Sequence, residues 1–389
     1  MRGGFLLSTL FQNYARRSIH LVKGSGTVVT DDKGKDYLDF TSGIAVVSLG
    51  HAHHALVKAV KQQSEKLWHV SNLFESPGQE LVAEKLVRDT PFSHAFFCNS
   101  GAEANEAAIK LARKHTQKNV IITFEQSFHG RTFGAMSATG QAKVREGFGP
   151  LLETFLIIPY NDEEQLEAAI DGDVAAIMLE VIQGEGGVHQ VDPGFAQKVT
   201  DICKSKGILL IVDEVQTGIG RTGTRYAYEQ TALEPDIITL AKGLGGGFPI
   251  GAMLGSKELF HSFGPGSHGT TFGGNPLAVA VAQTVVDIVF KKKFLEEVED
   301  KSNYLIEKIQ TVLPQEQFTV RGAGLLLGIE CDEEVLPFIQ QAEKAGLLLV
   351  QAGVNVVRLL PPLTVTYEEI DQAVDILAAI LLNKQIVHS

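Results

Sequence analysis

Lys242 closes an apolar run, Asp236-Ile-Ile-Thr-Leu-Ala-Lys242, and is followed at once by Gly243-Leu-Gly-Gly-Gly247. One amine is thereby set at a strand end, facing a glycine-lined space. An earlier run of the same kind, Gly207-Ile-Leu-Leu-Ile-Val-Asp213, ends in a carboxylate. Open α/β sheets bind their ligands beyond the carboxyl ends of the strands, so Asp213 and Lys242 are expected to project into one site. The turn Asn99-Ser-Gly-Ala-Glu-Ala-Asn105 opens a helix. Its small residues let the backbone approach an anion, and the N–H groups of Gly101 and Ala102 present the favourable end of the helix dipole. A phosphate cradle, an acid and an imine-forming amine are the parts that a pyridoxal phosphate enzyme needs.

Ser127-Phe128-His129-Gly130-Arg131 adds an aromatic ring to stack on a flat cofactor and an Arg to hold a carboxylate bidentately. Taken singly, each feature has an ordinary explanation: a Lys is a solvated strand end, an Asp a turn or cap, Ser-Gly-Ala a helix start, a Phe part of the core. Their joint occurrence favours the cofactor. Two competing readings are weaker. Gly218-Ile-Gly-Arg-Thr-Gly223 matches the dinucleotide fingerprint of a nicotinamide dehydrogenase, but Asp213-Glu-Val-Gln-Thr217 intervenes after the strand and no clear helix follows. His51, His53 and His54 lack nearby carboxylate or Cys partners and read as packing or capping residues, so no metal is expected.

The 389 residues suit two domains. Hydrophobic residues at 44% and charged residues at 21% describe an ordinary globular chain, and a formal charge of −12 argues against nucleic acid as a partner. Cys98, Cys203 and Cys331 are scattered and odd in number, which suggests neither a disulfide framework nor a metal cluster and fits a reducing cytoplasm. No apolar run approaches the length of a membrane helix. Residues 1–30 carry Arg2, Arg16, Arg17 and Lys23 without an acid, a faint likeness to a transit peptide; Phe5-Leu-Leu is too short for a signal-peptide core, and packing on a partner subunit is the alternative.

Residues 26–40 alternate around Asp31-Asp-Lys-Gly34 and predict a hairpin. Helical patterns at 81–87, 102–115 and 195–206 alternate with extended ones at 94–98, 120–124, 155–158, 174–179, 208–212 and 236–240, which argues for a largely parallel sheet covered on both faces. After Asn275-Pro276 come helical patterns at 277–290 and 294–313, then extended 324–330, helical 334–345, extended 355–359 and helical 367–382. The expected class is α/β, with a large domain over 56–280 and a smaller α+β domain built from 1–55 and 281–389.

Asn99-Ser-Gly-Ala-Glu-Ala-Asn-Glu106, Phe128-His-Gly-Arg131, Gln183-Gly-Glu-Gly-Gly187, Asp213-Glu-Val-Gln216, Ala241-Lys-Gly243, Gly269-Thr-Thr-Phe-Gly-Gly-Asn-Pro276 and Arg358-Leu-Leu-Pro-Pro-Leu363 resemble the class III (ω-amino acid) aminotransferases from about Leu10 onward. The resemblance implies a fold type I homodimer with each active site at the subunit interface. It implies that Lys242 carries pyridoxal phosphate, Asp213 pairs with the ring nitrogen, Phe128 stacks on the ring, Gly101 and Ala102 bind the phosphate, Gln216 lies by the ring hydroxyl, and Thr271 reaches the phosphate across the interface. Arg131, Thr270 and Arg358 would contact substrate, and Glu185 would neutralise Arg358 when no α-carboxylate is present. Within the class the likeness points to N-acetylornithine as amine donor and 2-oxoglutarate as acceptor, giving glutamate; ornithine, succinylornithine and 4-aminobutyrate are the alternative donors. Where members acting on ornithine carry a Tyr, alignment on Gly50-His51 places Ile44. Three departures stand at the substrate rim: Val47 for the usual Asn, His54 for the Pro usual after His53, and Val181 for the Pro usual after Glu180.

Overall fold

A computed structural model describes residues 9–382; Arg2 and Phe5-Leu-Leu lie outside the described residues. Seven strands form the central sheet in the spatial order Phe92–Cys98, Gly251–Ser256, Ile237–Leu240, Leu209–Asp213, Val174–Leu179, Val120–Phe124 and Phe155–Ile158. All run parallel except Gly251–Ser256, which is antiparallel to both of its neighbours. Val174–Leu179 and Ile237–Leu240 are buried at every position, as strands of a sheet covered on both faces must be.

Helix Gly101–Thr116 covers one face, where Ala107, Ala108 and Leu111 pack with Ile121, Ile211 and Ile237. Alanines on that side let the helix axis lie close to the sheet. On the other face Leu210, Val212 and Ile238 belong to a second core with Phe195 and Val199 of helix Pro193–Lys206 and Val285 of helix Pro276–Val289. Each fully buried Leu or Ile side chain contributes about 1.5–3 kcal/mol, so the strand order is fixed by apolar burial and the polar strand ends are left for the site.

The expected hairpin forms from Val28–Asp31 and Asp36–Asp39. Asp31 Oδ1 accepts from Lys33 N at 2.9 Å and Lys35 N at 2.8 Å, and Gly34 takes φ 83°. Leu21–Ser25 extends this sheet on one side; on the other, Leu347–Leu348 from the distant C-terminal part pairs in parallel with Asp36–Asp39. A third sheet combines Phe318–Ala323, Leu326–Cys331, Val356–Leu359 and Val350–Ala352, all antiparallel.

Several elements escape the sequence patterns, among them strand Gly251–Ser256, strand Phe318–Ala323 and helices His54–Ser64 and Glu163–Ala169. Gly251 and Gly255 dilute the first, yet a Cβ at Gly251 would stand 2.5 Å from Ser100 O, so the glycine that hides this strand is what lets it lie against the turn at residue 100. His53 occupies the N-cap of helix His54–Ser64 without a side-chain capping bond and packs its ring on that of His54, centroids 4.6 Å apart, so of the packing and capping roles expected of it the first holds.

Candidate active site

Residues from five strand ends and the loops after them line a cavity of about 410 Å³, among them Gly101, Ala102, Phe128, Arg131, Asp213, Gln216 and Lys242. Asp213 is buried at the end of Leu209–Asp213. Its Oδ2 accepts from Asn105 Nδ2 and from His129 Nδ1, each at 2.8 Å, and its Oδ1 accepts from Val215 N at 3.0 Å. A carboxylate offers about four acceptor sites, so one remains for a cationic group in the cavity. Burial opposes charge on His129, but the hydrogen bond and charge of Asp213 outweigh it and hold the imidazole above its ordinary range.

Lys242 follows strand Ile237–Leu240 at the start of a short 3₁₀ turn, with φ 39°. Burial pushes its ammonium below the usual lysine value and Arg358 adds to this, while Glu185, Asp213 and Glu180 pull the other way. A depressed amine is a better nucleophile and proton acceptor near neutral pH.

Ser100 caps helix Gly101–Thr116 by accepting from Glu103 N at 3.2 Å, and Glu103 Oε2 reaches back to Asn99 N at 2.5 Å. The N–H groups of Gly101 and Ala102 are left at the helix start, where an anion is favoured. A Cβ at Gly101 would stand 2.7 Å from Val215 Cγ1, and one at Gly130 2.8 Å from Ala102 Cβ, so this wall of the cavity exists only because neither residue has a side chain. An amine, a carboxylate and free N–H groups around one space fit pyridoxal phosphate. Phe128 N donates to Glu180 Oε1 at 2.9 Å, which fixes the loop bearing the ring; burial, eased by His129, raises the Glu180 carboxyl to about 7.

Arg358 lies on Val356–Leu359, is 1% exposed, and places Nη1 2.8 Å from Glu185 Oε1, 2.7 Å from Gly184 O and 2.9 Å from Gln216 Oε1. Its Nε is buried without a partner. Burial works against charge on Glu185, but Arg358 wins and its carboxyl lies below the usual range. Arg131 is exposed at the mouth, its guanidinium 5.7 Å from the Phe128 ring centroid, with no ion-pair partner among the described residues.

Thr270, Thr271 and Ile44 do not line the cavity of their own chain. Thr270 is not brought into the cavity of its own chain; its Oγ1 accepts from Asn99 Nδ2 at 3.1 Å. Thr271 is exposed and lines no part of that cavity. Ile44 is 38% exposed, and Val46, two residues on, lines the wall instead. Ser42, Gly43, Ile44 and Ala45 all have positive φ, 47°, 64°, 66° and 61°, a single left-handed helical turn that costs about 1–2 kcal/mol per non-glycine residue.

Asn105, His129 and Glu180 carry roles that the sequence does not mark, because their partners lie far away in the chain. The dinucleotide-like run does not open a helix; within it Arg221 is buried and donates Nη1 to Leu325 O at 2.9 Å and Pro361 O at 2.6 Å, a structural staple.

The sequence model of Aminotransferase class-III matches residues 11–381. An acetylornithine aminotransferase of Bacillus cereus is 56% identical over 98% of this chain and 99% of its own length, and one of Bacillus subtilis 55% identical over 95% and 96%. Among solved structures, N-acetylornithine aminotransferase from Stenotrophomonas maltophilia matches with TM-score 0.83 and 39% identity over 96% of this chain and 98% of that one. Ornithine aminotransferase from Toxoplasma gondii matches with TM-score 0.93 and 32% identity over 97% and 93%; a second structure of that enzyme reports PLP at the active site. The cavity's donor set and these likenesses over nearly the whole chain agree: the protein belongs to the class III aminotransferases, which use pyridoxal phosphate.

Proposed function

We propose that this enzyme moves the terminal amino group of N2-acetyl-L-ornithine to 2-oxoglutarate, giving N-acetylglutamate 5-semialdehyde and L-glutamate, a step of arginine biosynthesis. The observation that carries the donor is the 56% identity, over 98% of the chain, to an acetylornithine aminotransferase. The Glu185–Arg358 pair beside Lys242 supports the two-substrate cycle.

Pyridoxal phosphate supplies an aldehyde that captures amines and a ring that accepts the electrons of the bond broken at the amine-bearing carbon. Lys242 would hold that aldehyde and, once released, carry the proton to and from the reacting carbon. Asp213, anchored by Asn105 and His129, would keep a proton on the ring nitrogen. Phe128 would pack on the ring, Gly101 and Ala102 would donate to the phosphate, and Gln216 would lie by the ring hydroxyl. Arg131 would clamp the carboxylate of the acetylated end. Glu185 neutralises Arg358 while the donor's methylene end occupies the site, and leaves it when an α-carboxylate arrives, because an unpaired buried charge is costly. Arg358 Nε is then a donor in waiting.

The enzyme is proposed to be a cytoplasmic homodimer in which Thr271, and Thr270 beside it, serve the neighbouring subunit's site. Exposed Trp68, Phe74 and Phe272 support an apolar contact there. The division into 56–280 and a smaller unit from 1–55 and 281–389 is supported by the pairing of Asp36–Asp39 with Leu347–Leu348.

The test is kcat/KM for N-acetylornithine, ornithine, succinylornithine and 4-aminobutyrate. Ornithine's charged α-nitrogen beside an apolar wall should cost on the order of 1–3 kcal/mol, so N-acetylornithine should lead ornithine by at least about tenfold. A preference for ornithine or 4-aminobutyrate would overturn the donor and leave the cofactor chemistry intact.

A further inference from the structure

The left-handed turn Ser42–Ala45 needs something to hold it. Ile44 is β-branched and stands at φ 66°, ψ 64°, and Ala45 and Ser42 share the same region, where only glycine rests without strain. Strain of this kind persists only where the surroundings over-determine it. Here the surroundings are specific. Asp39 Oδ1 accepts from Thr41 N at 2.9 Å, Thr41 Oγ1 at 2.6 Å and Ser42 N at 3.1 Å, which fixes the entry to the turn. Its Oδ2 pairs with His51 Nε2 at 2.7 Å, on the far side of the loop. His51 is itself anchored, since its N and O exchange hydrogen bonds with Gly26 at 2.8 and 3.0 Å. A Cβ at Gly24 would stand 2.8 Å from the His51 side chain, so His51 packs directly on the glycine of strand Leu21–Ser25.

The loop also touches both halves of the catalytic apparatus. Ser42 Oγ donates to Leu360 O at 2.6 Å, two residues beyond Arg358, and Ser48 Oγ donates to Gly243 O at 3.1 Å, next to Lys242. Between these ties Val46 N donates to Ser42 O at 2.8 Å, so the turn's hand decides where Val46 stands in the cavity wall.

We propose that Asp39 and His51 are positioning residues: their hydrogen bond latches the left-handed turn Ser42–Ala45, and thereby holds Val46 where the amine donor must pack. Without the latch the turn relaxes toward the ordinary right-handed or extended regions, the competent wall becomes a minor population, and apparent donor affinity falls by that fraction. The proposal rests on the function above only for the choice of assay donor.

The test uses the holoenzyme with Asp39→Asn, His51→Ala and His51→Gln, and the first two combined with Ala45→Gly. Glycine accepts φ 61° without help, so it should suppress loss of the latch. His51→Ala and Asp39→Asn should raise KM for N-acetylornithine about tenfold or more, with kcat, the visible spectrum of bound pyridoxal phosphate and KM for 2-oxoglutarate little changed. His51→Gln, whose amide can still donate to Asp39, should stay near wild type. Ala45→Gly should restore most of the lost affinity in either background; should Asp39→Asn not fold, His51→Ala carries the comparison. A donor KM within about twofold of wild type in His51→Ala, or a loss that Ala45→Gly leaves untouched, overturns the proposal. If the wild-type enzyme rejects N-acetylornithine but accepts another donor, the function fails while the same series with that donor still decides the latch.

Discussion

In the proposed cycle, Arg358 and Glu185 are the residues on which the exchange of two unlike substrates turns. An Arg buried to 1% exposure is tolerable because Glu185, Gly184 O and Gln216 share its Nη1, yet Nε is left without a partner. A carboxylate that takes Arg358 from Glu185 gains charge-assisted hydrogen bonds, each worth about 1.5–3 kcal/mol. Arg358→Ala should therefore slow the 2-oxoglutarate half-reaction roughly ten- to hundredfold more than the N-acetylornithine half-reaction; equal losses in rapid-mixing measurements would rule out a switch. Lys242 and Asp213 were readable in the sequence because each ends an uninterrupted apolar run. Asn105 and His129 were not, because their value arises where they meet at Asp213 Oδ2, 108 and 84 positions along the chain.

At the scale of elements, strands such as Val174–Leu179 were legible because burial on both faces leaves an unbroken apolar signature. Gly251–Ser256 and the turn Ser42–Ala45 were not, for opposite reasons: the first sacrifices side chains to close backbone approach, and the second places Ile and Ala against their own preference. The loop after Leu209–Asp213 is organised by Glu214, which is buried, accepts from Tyr228 N at 2.8 Å and from Thr217 Oγ1, and has its carboxyl raised by burial to about 7. Because the folded value lies above the unfolded one of 4.5, both states are protonated at low pH and stability is then undiminished. Between 4.5 and about 7 only the unfolded state releases the proton, so stability falls by up to about 1.4 kcal/mol per pH unit and levels off above 7. Glu214→Gln should lose this dependence: denaturant midpoints at pH 5 and 8 should lie closer together than in the wild type. An unchanged gap would show that Glu214 does not titrate there.

At the scale of the molecule, one chain supplies Lys242, Asp213 and the helix start at Gly101, while Thr271 faces solvent. A dimer that shares its sites predicts complementation. Lys242→Ala and Thr271→Asp, each inactive alone, should recover about a quarter of wild-type activity after unfolding and refolding together, since half the dimers are hybrid and each hybrid has one intact site of two. Recovery no greater than the sum of the separate variants would place Thr271 outside the neighbour's site. The sequence carries the family motifs, but the proposed dimer contact would draw on exposed surfaces such as Trp68 and Phe272, which no periodicity marks.

The central claim is that Lys242 carries pyridoxal phosphate through a cycle that takes an amino group from N-acetylornithine and gives it to 2-oxoglutarate. The most direct measurement is the visible absorbance of the bound cofactor in a single turnover, wild type beside Lys242→Ala. In the wild type the band should bleach on adding N-acetylornithine and return on adding 2-oxoglutarate, and borohydride should fix the cofactor to the peptide containing Lys242. In Lys242→Ala the fixation should vanish and the cycle slow by several orders of magnitude; a variant that still cycles at near wild-type rate would contradict the account.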